Sequence, residues 1–216
     1  MDQVFTMEKL RPIKDEMTIS RDLRLSSQVP VTLFSLGKDT SISQETYIEE
    51  KLYIAHLGAT NILIGDNQKK YPISENEILI VSSDTLCGMD TSTGSIYTEV
   101  ILKRENTMNN KVKTNEVFAL KDLIDYEEGS IANLDVVHND TMKYVLMAFD
   151  AGTGLTPHKA PGNAIVYALD GEAIIGYEGK DYVLKAGECF RFEKNGLHSV
   201  AAQGKFKMAL LLVLAE

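Results

Sequence analysis

Apolar residues along this chain come in short runs, and polar or turn-forming residues stand between them. The clearest runs are "AIVYAL" (164–169), "AIIGY" (173–177), "CFRF" (189–192) and "KMALLLVLA" (207–215). Short runs separated by Gly, Asn or Asp are typical of β-strands. Helical patterns occur only at 7–16 and 120–129, where a Pro or a Gly limits them to short turns. The hydrophobic pattern therefore predicts an all-β chain.

Three pairs of similar segments recur in the same order, which indicates an internal duplication. The pairs are "VFTMEKL" (from 4) with "VFALKDL" (from 117), "YIAHLG" (from 53) with "VYALDG" (from 166), and "GDNQKKYPISENEILIV" (from 65) with "GYEGKDYVLKAGECFRF" (from 176). The repeating unit is thus about 110 residues long. We predict two domains, 1–107 and 108–216, with the boundary in the polar stretch 104–116. Each copy should form a closed or double-sheet barrel, because barrels leave few strand edges unpaired.

One stretch of the second copy places spaced glycines around a histidine. Gly152 is followed after five residues by His158, and Gly171 ends the stretch. Between them, Ala160 comes two positions after the histidine and Ala164 four positions later. His158 is the only histidine of this stretch.

A later stretch repeats the combination of a glycine and a spaced histidine. Gly187 and His198 hold its ends, with Glu193 and Asn195 between them and Ala202 after them. Together the two stretches resemble the two motifs of the cupin family of small jelly-roll barrels. The second cupin motif has Pro, Gly and Asn where this chain has Glu193, Asn195 and Ala202, but the spacing is the same. The resemblance implies an all-β fold of two tandem cupin (jelly-roll) barrels from an internal duplication.

The resemblance also implies a metal site, of which this chain keeps only part. In cupins, two His and a Glu of the first motif and the His of the second bind a divalent metal. Ala160 and Ala164 stand in the positions of the second His and the Glu, so the metal-binding role carries over only to His158 and His198. Catalytic zinc sites use about three protein ligands, and non-haem iron sites use two His and a carboxylate.

A carboxylate from elsewhere could complete the two histidines. Asp150 and Glu193 are the candidates, although nothing in their spacing directs either of them into the barrel. The sequence therefore leaves two cofactor states open: none, or a divalent ion such as Zn, Fe, Mn or Ni.

Strand alternation predicts the lining of a pocket in the second barrel. If Ala164 faces inward, so does Val166, and Phe190 and Phe192 alternate with charged neighbours. The predicted ligand pocket consists of His158, Ala160, Ala164, Val166, Phe190, Phe192, His198 and Met208. Small residues at 160 and 164 would leave room for a ligand, and an apolar lining with a few polar groups is typical of small-molecule sites.

A histidine in such a pocket could also act as a general base, because its unperturbed pKa is about 6.5. Metal-free sugar epimerases of similar fold pair such a His with a Tyr acid. Tyr167 and Tyr182 are the candidate acids, but alternation points Tyr167 away from the side of Ala164 and Val166. No acid is therefore apparent.

The first copy keeps fewer site residues. Its repeat positions place Thr46, Leu52 and Cys87 where the second copy has His158, Ala164 and His198, so we predict no ligand set there. His56 and His138 are expected at the surface.

Composition narrows the range of partners. The 216 residues carry a net charge of -9 without a clustered Lys/Arg patch, which argues against a nucleic-acid partner. No run reaches the roughly 18 apolar residues of a membrane span, and no signal peptide is evident. We expect a cytoplasmic protein with a small-molecule ligand and no membrane partner, and Cys87 and Cys189 as reduced, buried thiols. The resemblance to cupins also implies that the protein forms a homodimer.

Two functions of different classes follow. The first is a small-molecule-binding bicupin with its pocket in the C-terminal barrel. The second is a metal-dependent cupin enzyme, such as an oxygenase, isomerase or lyase that acts on a small carboxylate or sugar derivative. Whether the protein is an enzyme stays open at this point, because one fold can carry many functions.

Overall fold

The computed structural model describes residues 3–102 and 106–214, and it confirms the all-β prediction. Ten strands lie in the first half of the chain: β1 (Val4–Phe5), β2 (Thr18–Asp22), β3 (Val31–Leu36), β4 (Thr40–Tyr47), β5 (Glu50–Ile64), β6 (Lys69–Ser74), β7 (Glu77–Val81), β8 (Thr85–Thr91), β9 (Ser95–Leu102) and β10 (Thr107–Met108). The predicted helical segment at 7–16 shortens to one turn, α1 (Met7–Leu10), with the Thr6 side chain accepting a hydrogen bond from the Lys9 amide.

Ten further strands follow in the second half of the chain. They are β11 (Val117–Ala119), β12 (Ile131–His138), β13 (Met142–Phe149), β14 (Gly154–Lys159), β15 (Asn163–Asp170), β16 (Glu172–Tyr177), β17 (Lys180–Lys185), β18 (Cys189–Phe192), β19 (Leu197–Ala201) and β20 (Phe206–Val213). A single 3-10 turn at Leu120–Asp122 replaces the second helical segment. None of the helices described is long and apolar enough to cross a membrane.

Each half folds into a barrel of two curled sheets. In the C-terminal barrel, a seven-stranded sheet in the order β1-β18-β15-β20-β13-β12-β10 faces a four-stranded sheet in the order β14-β19-β16-β17. In the N-terminal barrel, the long strand β5 takes part in both faces, because its first part pairs with β7 and β9 and its last part with β6 and β8. All of the strand pairs named here are antiparallel, as expected for a jelly roll.

The first strand of each half pairs in the barrel of the other half. Strand β1 pairs with β18, with Val4 opposite Phe190. Strand β11 pairs with β7 in the same way, with Val117 opposite Leu79. These are the two copies of the repeated "VF" segment, so the exchange is reciprocal and follows the internal repeat. The two barrels therefore share backbone hydrogen bonds as well as side-chain contacts.

Three apolar clusters fill the structure. The largest lies between the two barrels and includes Phe5 of β1, while the other two fill the barrel interiors. Cys87 and Cys189 are buried free thiols, as predicted. The packing thus places the main core at the junction of the two halves.

Substitution of Phe5 tests the exchange. Phe5 is 5% exposed and lies in the junction cluster, so Phe5→Ala should lower the free energy of unfolding by about 3–5 kcal/mol. Ile48→Ala is the control, since Ile48 is 56% exposed and should change stability by less than about 0.5 kcal/mol. Urea unfolding followed by circular dichroism and tyrosine fluorescence should give one coincident transition, and separate transitions of the two halves would contradict a shared core.

Candidate functional site

Two histidines lie side by side at the mouth of the C-terminal barrel. His158 on β14 is directly opposite His198 on β19, and the two ring centroids are 4.2 Å apart. The register of β14 shifts between Leu155 and His158, which is where Pro157 interrupts regular pairing. His158 is exposed, whereas His198 is buried. The two motif histidines therefore form one pair that spans the rim and the interior.

Backbone carbonyls fix the same nitrogen of both rings. The Nδ1 atom of His158 lies 2.9 Å from the Thr156 carbonyl, and the Nδ1 atom of His198 lies 3.1 Å from the Gly196 carbonyl. A carbonyl oxygen can only accept, so Nδ1 must carry the hydrogen in each ring. The neutral rings then present an unprotonated Nε2, which can accept a hydrogen bond or a proton.

The surroundings of His198 favour its neutral form. Burial lowers the pKa of His198, and the neighbouring His158 lowers it further, while the bond to the Gly196 carbonyl acts in the opposite direction. The Phe192 ring lies 4.1 Å from the His198 ring and supplies an apolar wall. His198 is therefore an acceptor at neutral pH.

Tyr177 is a site residue that the sequence interpretation missed. It lies opposite His198 on β16, and its hydroxyl accepts a hydrogen bond from the Glu193 amide at 3.4 Å. A hollow of about 250 Å³ lies against this pair, and its lining includes Pro157, Tyr177, Leu197, His198 and Ser199. Gly176 and Gly179 belong to the same wall and add no side chain to it. The available signal was the strand alternation, which puts Tyr177 on the same side as Ile175.

The other predicted pocket residues meet in the barrel interior. Six of them belong to one apolar cluster in which each is at most 3% exposed: Ala160, Ala164, Val166, Phe190, Phe192 and Met208. Phe149, Phe206 and Tyr182 pack among them. The structure thus gathers these six residues beneath His198, while His158 lies at the rim.

The donor set does not fit a tightly held metal. Across residues 3–102 and 106–214, no group of three or more His, Cys, Asp or Glu side chains is arranged to hold a metal ion. Asp150 accepts a hydrogen bond from the Gly129 amide at 2.8 Å, and Glu193 pairs with Arg191 at 2.7 Å. Two imidazoles are fewer than the three ligands expected of a catalytic zinc or iron site.

Strand pairing corrects the predicted equivalences of the first copy. Cys87 lies opposite Glu45, so Glu45 and not Thr46 corresponds to His158. In the first copy, Lys51 lies opposite Val81 and Ile101. In the second copy, Ala164 lies opposite Phe192 and Leu212 in the same way. Lys51 therefore corresponds to Ala164, and Leu52 does not. The two halves differ in loop length, which moved the sequence alignment by one residue and therefore to the other face of the strand.

A buried ion pair fills the interior of the N-terminal barrel. The Lys51 Nζ atom lies 3.0 Å from Glu99 Oε2, and both side chains are buried, at 4% and 13% exposure. The Tyr47 ring covers the ammonium group at 3.0 Å from its centroid. Deeper in the barrel, the Tyr53 hydroxyl lies 3.7 Å from the Cys87 sulfur. Burial raises the pKa of the Cys87 thiol, so this cysteine is kept in its unreactive thiol form.

His56 does not lie free on the surface as predicted. It is half-buried between the barrels, where its Nε2 atom lies 2.8 Å from the Thr98 hydroxyl and its ring stacks on Tyr167 at 5.0 Å. Tyr167 does face away from the barrel interior, as alternation predicted, and joins the junction cluster. Burial lowers the pKa of His56 to about 3. His138 lies at the end of β12, next to the predicted Asn-Asp turn, and is partly exposed.

Comparison with known proteins places the fold. Residues 145–214 match a family model described as "Cupin domain". A cupin 2 conserved barrel domain protein from Leptotrichia buccalis is 27% identical, with a TM-score of 0.86 over 98% of this chain and 96% of that chain. Salicylate 1,2-dioxygenase from Pseudoaminobacter salicylatoxidans, in a structure of its adducts with gentisate, is 12% identical, with a TM-score of 0.67 over 97% of this chain and 80% of that chain. The latter likeness shows the fold alone. No curated protein sequence matches the chain.

Removing one member of the Lys51–Glu99 pair should be costly. Lys51→Met leaves the Glu99 carboxylate buried without a partner, so the free energy of unfolding should fall by about 3–5 kcal/mol. The double variant Lys51→Met/Glu99→Leu should recover most of this loss, because a buried ion pair and an apolar pair are of similar stability. Lys70→Met, which breaks the exposed pair with Asp90, is the control and should cost at most about 1 kcal/mol in urea unfolding.

Acid should destabilise the fold through His56. The pKa of His56 is about 3 in the folded protein and 6.5 without burial. Between pH 6.5 and pH 3 the unfolded chain therefore binds more protons than the folded protein. The free energy of unfolding falls as the pH drops through this range. Between pH 7 and pH 5 the contribution is about 2 kcal/mol. His56→Gln should reduce this dependence in thermal or urea unfolding, whereas His138→Gln should leave it intact. Equal pH dependence of His56→Gln and wild type would contradict the assignment.

Proposed function

Because the chain belongs to the cupin superfamily, we propose that it is a bicupin that binds a small organic molecule at the mouth of its C-terminal barrel. The observation that carries this proposal is the His158–His198 pair, in which the Nδ1 atom of each ring is fixed by a backbone carbonyl, so that Nε2 is the acceptor of each neutral ring. A preorganised pair of acceptors loses little conformational entropy when a ligand binds. The ligand should therefore donate hydrogen bonds to both imidazoles.

The groups around the pair indicate what the ligand carries. The hollow beside His198 is also lined by the Tyr177 and Ser199 hydroxyls and by Lys180 and Asp181. Hydroxyl groups both donate and accept, so this wall suits a ligand rich in hydroxyls. A metabolite or sugar derivative with adjacent hydroxyl groups meets these requirements. Pro157 and Leu197 in the same lining would contact its carbon skeleton.

A metal-dependent enzyme is the second candidate. It is favoured by the closeness of the two imidazoles, whose free Nε2 atoms are the atoms that would bind a metal. The set of two imidazoles does not fit a resident metal ion, so this candidate ranks below small-molecule binding. Elemental analysis of the wild type beside His158→Ala/His198→Ala separates the two: near one equivalent of metal, lost in the double variant, would favour the enzyme.

The binding proposal is tested by a thermal-shift screen of hexoses, sugar acids and hydroxy acids at millimolar concentration. At least one compound should raise the Tm of the wild type in a saturable manner, because a ligand that binds only the folded state stabilises it. His158→Ala and Tyr177→Phe should each weaken that ligand by about tenfold, the effect of losing one hydrogen bond to a ligand. Affinity should fall only at acidic pH, where His198 finally takes up a proton.

Tyr182→Phe is the matched control. Tyr182 packs on Phe190 but does not line the hollow, so removal of its hydroxyl should leave binding unchanged. If Tyr182→Phe weakened binding as much as the site variants do, the ligand would bind elsewhere. The same conclusion would follow if neither His158→Ala nor Tyr177→Phe changed the affinity.

A further inference from the structure

A second cavity lies where the N-terminal segment packs on the C-terminal barrel, and it shares no residue with the histidine site. Its volume is about 360 Å³, near the lower end of the roughly 300–1,000 Å³ of small-molecule pockets. We refer to it as the arginine cavity. Because the first strand of the chain is exchanged into the C-terminal barrel, both halves contribute to its walls.

The floor of the arginine cavity is apolar. It consists of Phe5 from β1, Leu10 from α1, Leu23 and Ile165 from β15. Phe5, Leu23 and Ile165 are at most 5% exposed, and all three belong to the cluster between the barrels. Such a floor gains nothing from a hydrophilic ion and would contact a hydrocarbon or aryl group.

The rim of the arginine cavity concentrates positive charge. The sequence contains five arginines and has a net charge of -9, yet Arg21, Arg24 and Arg191 all line this one cavity. Guanidinium groups bind carboxylates through paired hydrogen bonds. Their gathering in an acidic protein is the observation that points to an anion.

Arg191 has a structural task at the rim. It pairs with Glu193 at 2.7 Å and donates to the Leu23 carbonyl at 2.7 Å and to the Arg24 carbonyl at 3.1 Å. These bonds hold the segment that follows β2 against the C-terminal barrel. Arg191 therefore positions the rim, and its own charge is already neutralised by Glu193.

Arg21 and Arg24 keep their charges available. Within the part of the chain that the structure describes, neither side chain pairs with a carboxylate, and Arg21 makes only a 3.3 Å bond to the Leu10 carbonyl. Asp22 also lines the cavity and accepts a hydrogen bond from the Arg24 amide at 2.7 Å. Three guanidinium charges against the carboxylates of Asp22 and Glu193 leave one net positive charge.

From this floor, rim and charge balance, we propose that the arginine cavity binds a small monocarboxylate with an apolar body. The carboxylate lies between Arg21 and Arg24, and the hydrocarbon or aryl body lies on Phe5, Leu23 and Ile165. A single negative charge matches the one net positive charge that remains after Asp22 and Glu193 are counted against the three arginines. This site is independent of the histidine pair, so it stands whether or not that pair binds a sugar derivative.

Titration of the ¹⁵N-labelled full chain with sodium octanoate, followed by NMR, tests the proposal. Saturable shifts should appear at residues 21–24 and 165, and the affinity should fall when NaCl rises from 20 to 200 mM, because salt screens the charges. Arg21→Gln and Arg24→Gln should each lower the affinity for octanoate by about tenfold, which is the effect of losing one charge-assisted hydrogen bond. Arg24→Gln removes none of the bonds that hold the rim, and Arg21→Gln removes only the 3.3 Å bond to the Leu10 carbonyl, so the fold should be retained.

Two controls keep the test specific. Lys143→Gln removes the same charge outside the cavity and should change the affinity less than twofold, and 1-octanol should bind at least tenfold more weakly than octanoate. Equal binding of octanol and octanoate, equal weakening by Lys143→Gln, or shifts confined to residues outside the cavity would overturn the proposal. Tighter binding of octyl phosphate than of octanoate would overturn the assignment of a carboxylate.

Discussion

Reciprocal pairing of the two first strands, β1 with β18 and β11 with β7, is the constraint on which the rest of the structure depends. Each barrel has an edge that only the other half covers, so neither edge is left open to foreign strands. The exchange also brings the seven-stranded sheet of the C-terminal barrel against the nine-stranded sheet of the N-terminal barrel. The largest apolar cluster forms between these two sheets. The arginine cavity and the half-buried position of His56 both depend on this junction.

The two barrel interiors differ in how their polar and charged groups are paired. In the cupin motifs, the corresponding positions hold metal ligands. In the C-terminal barrel, two of these four positions hold Ala160 and Ala164, and the other two hold the imidazoles at its mouth. The N-terminal barrel instead holds the Lys51 ammonium opposite Glu99, a cation supplied by the chain itself. The C-terminal mouth has free acceptor atoms, whereas the ion pair in the N-terminal barrel is already satisfied.

Fold class and the histidine pair could be predicted from the sequence because they depend on local patterns. Strand alternation and motif spacing act over a few residues, and the structure has His158 and His198 opposite each other on two paired strands. Lys51 was missed because a one-residue slip in the repeat alignment moves a side chain to the opposite face. The exchange of β1, a strand of two residues, depends on contacts nearly 190 positions apart, as between Val4 and Phe190, which no local pattern encodes.

The exchanged strands also determine how the chain can assemble. A single repeat on its own would have a bare sheet edge and a loose first strand, and two such units could complete each other only as an interlocked dimer. Joining them in one polypeptide makes this encounter intramolecular, so its rate no longer depends on protein concentration. The single chain therefore contains the strand exchange that two separate repeats would need a dimer to achieve. Its two barrels are not identical: the mouth of the C-terminal barrel holds two imidazoles, whereas the interior of the N-terminal barrel holds an ion pair.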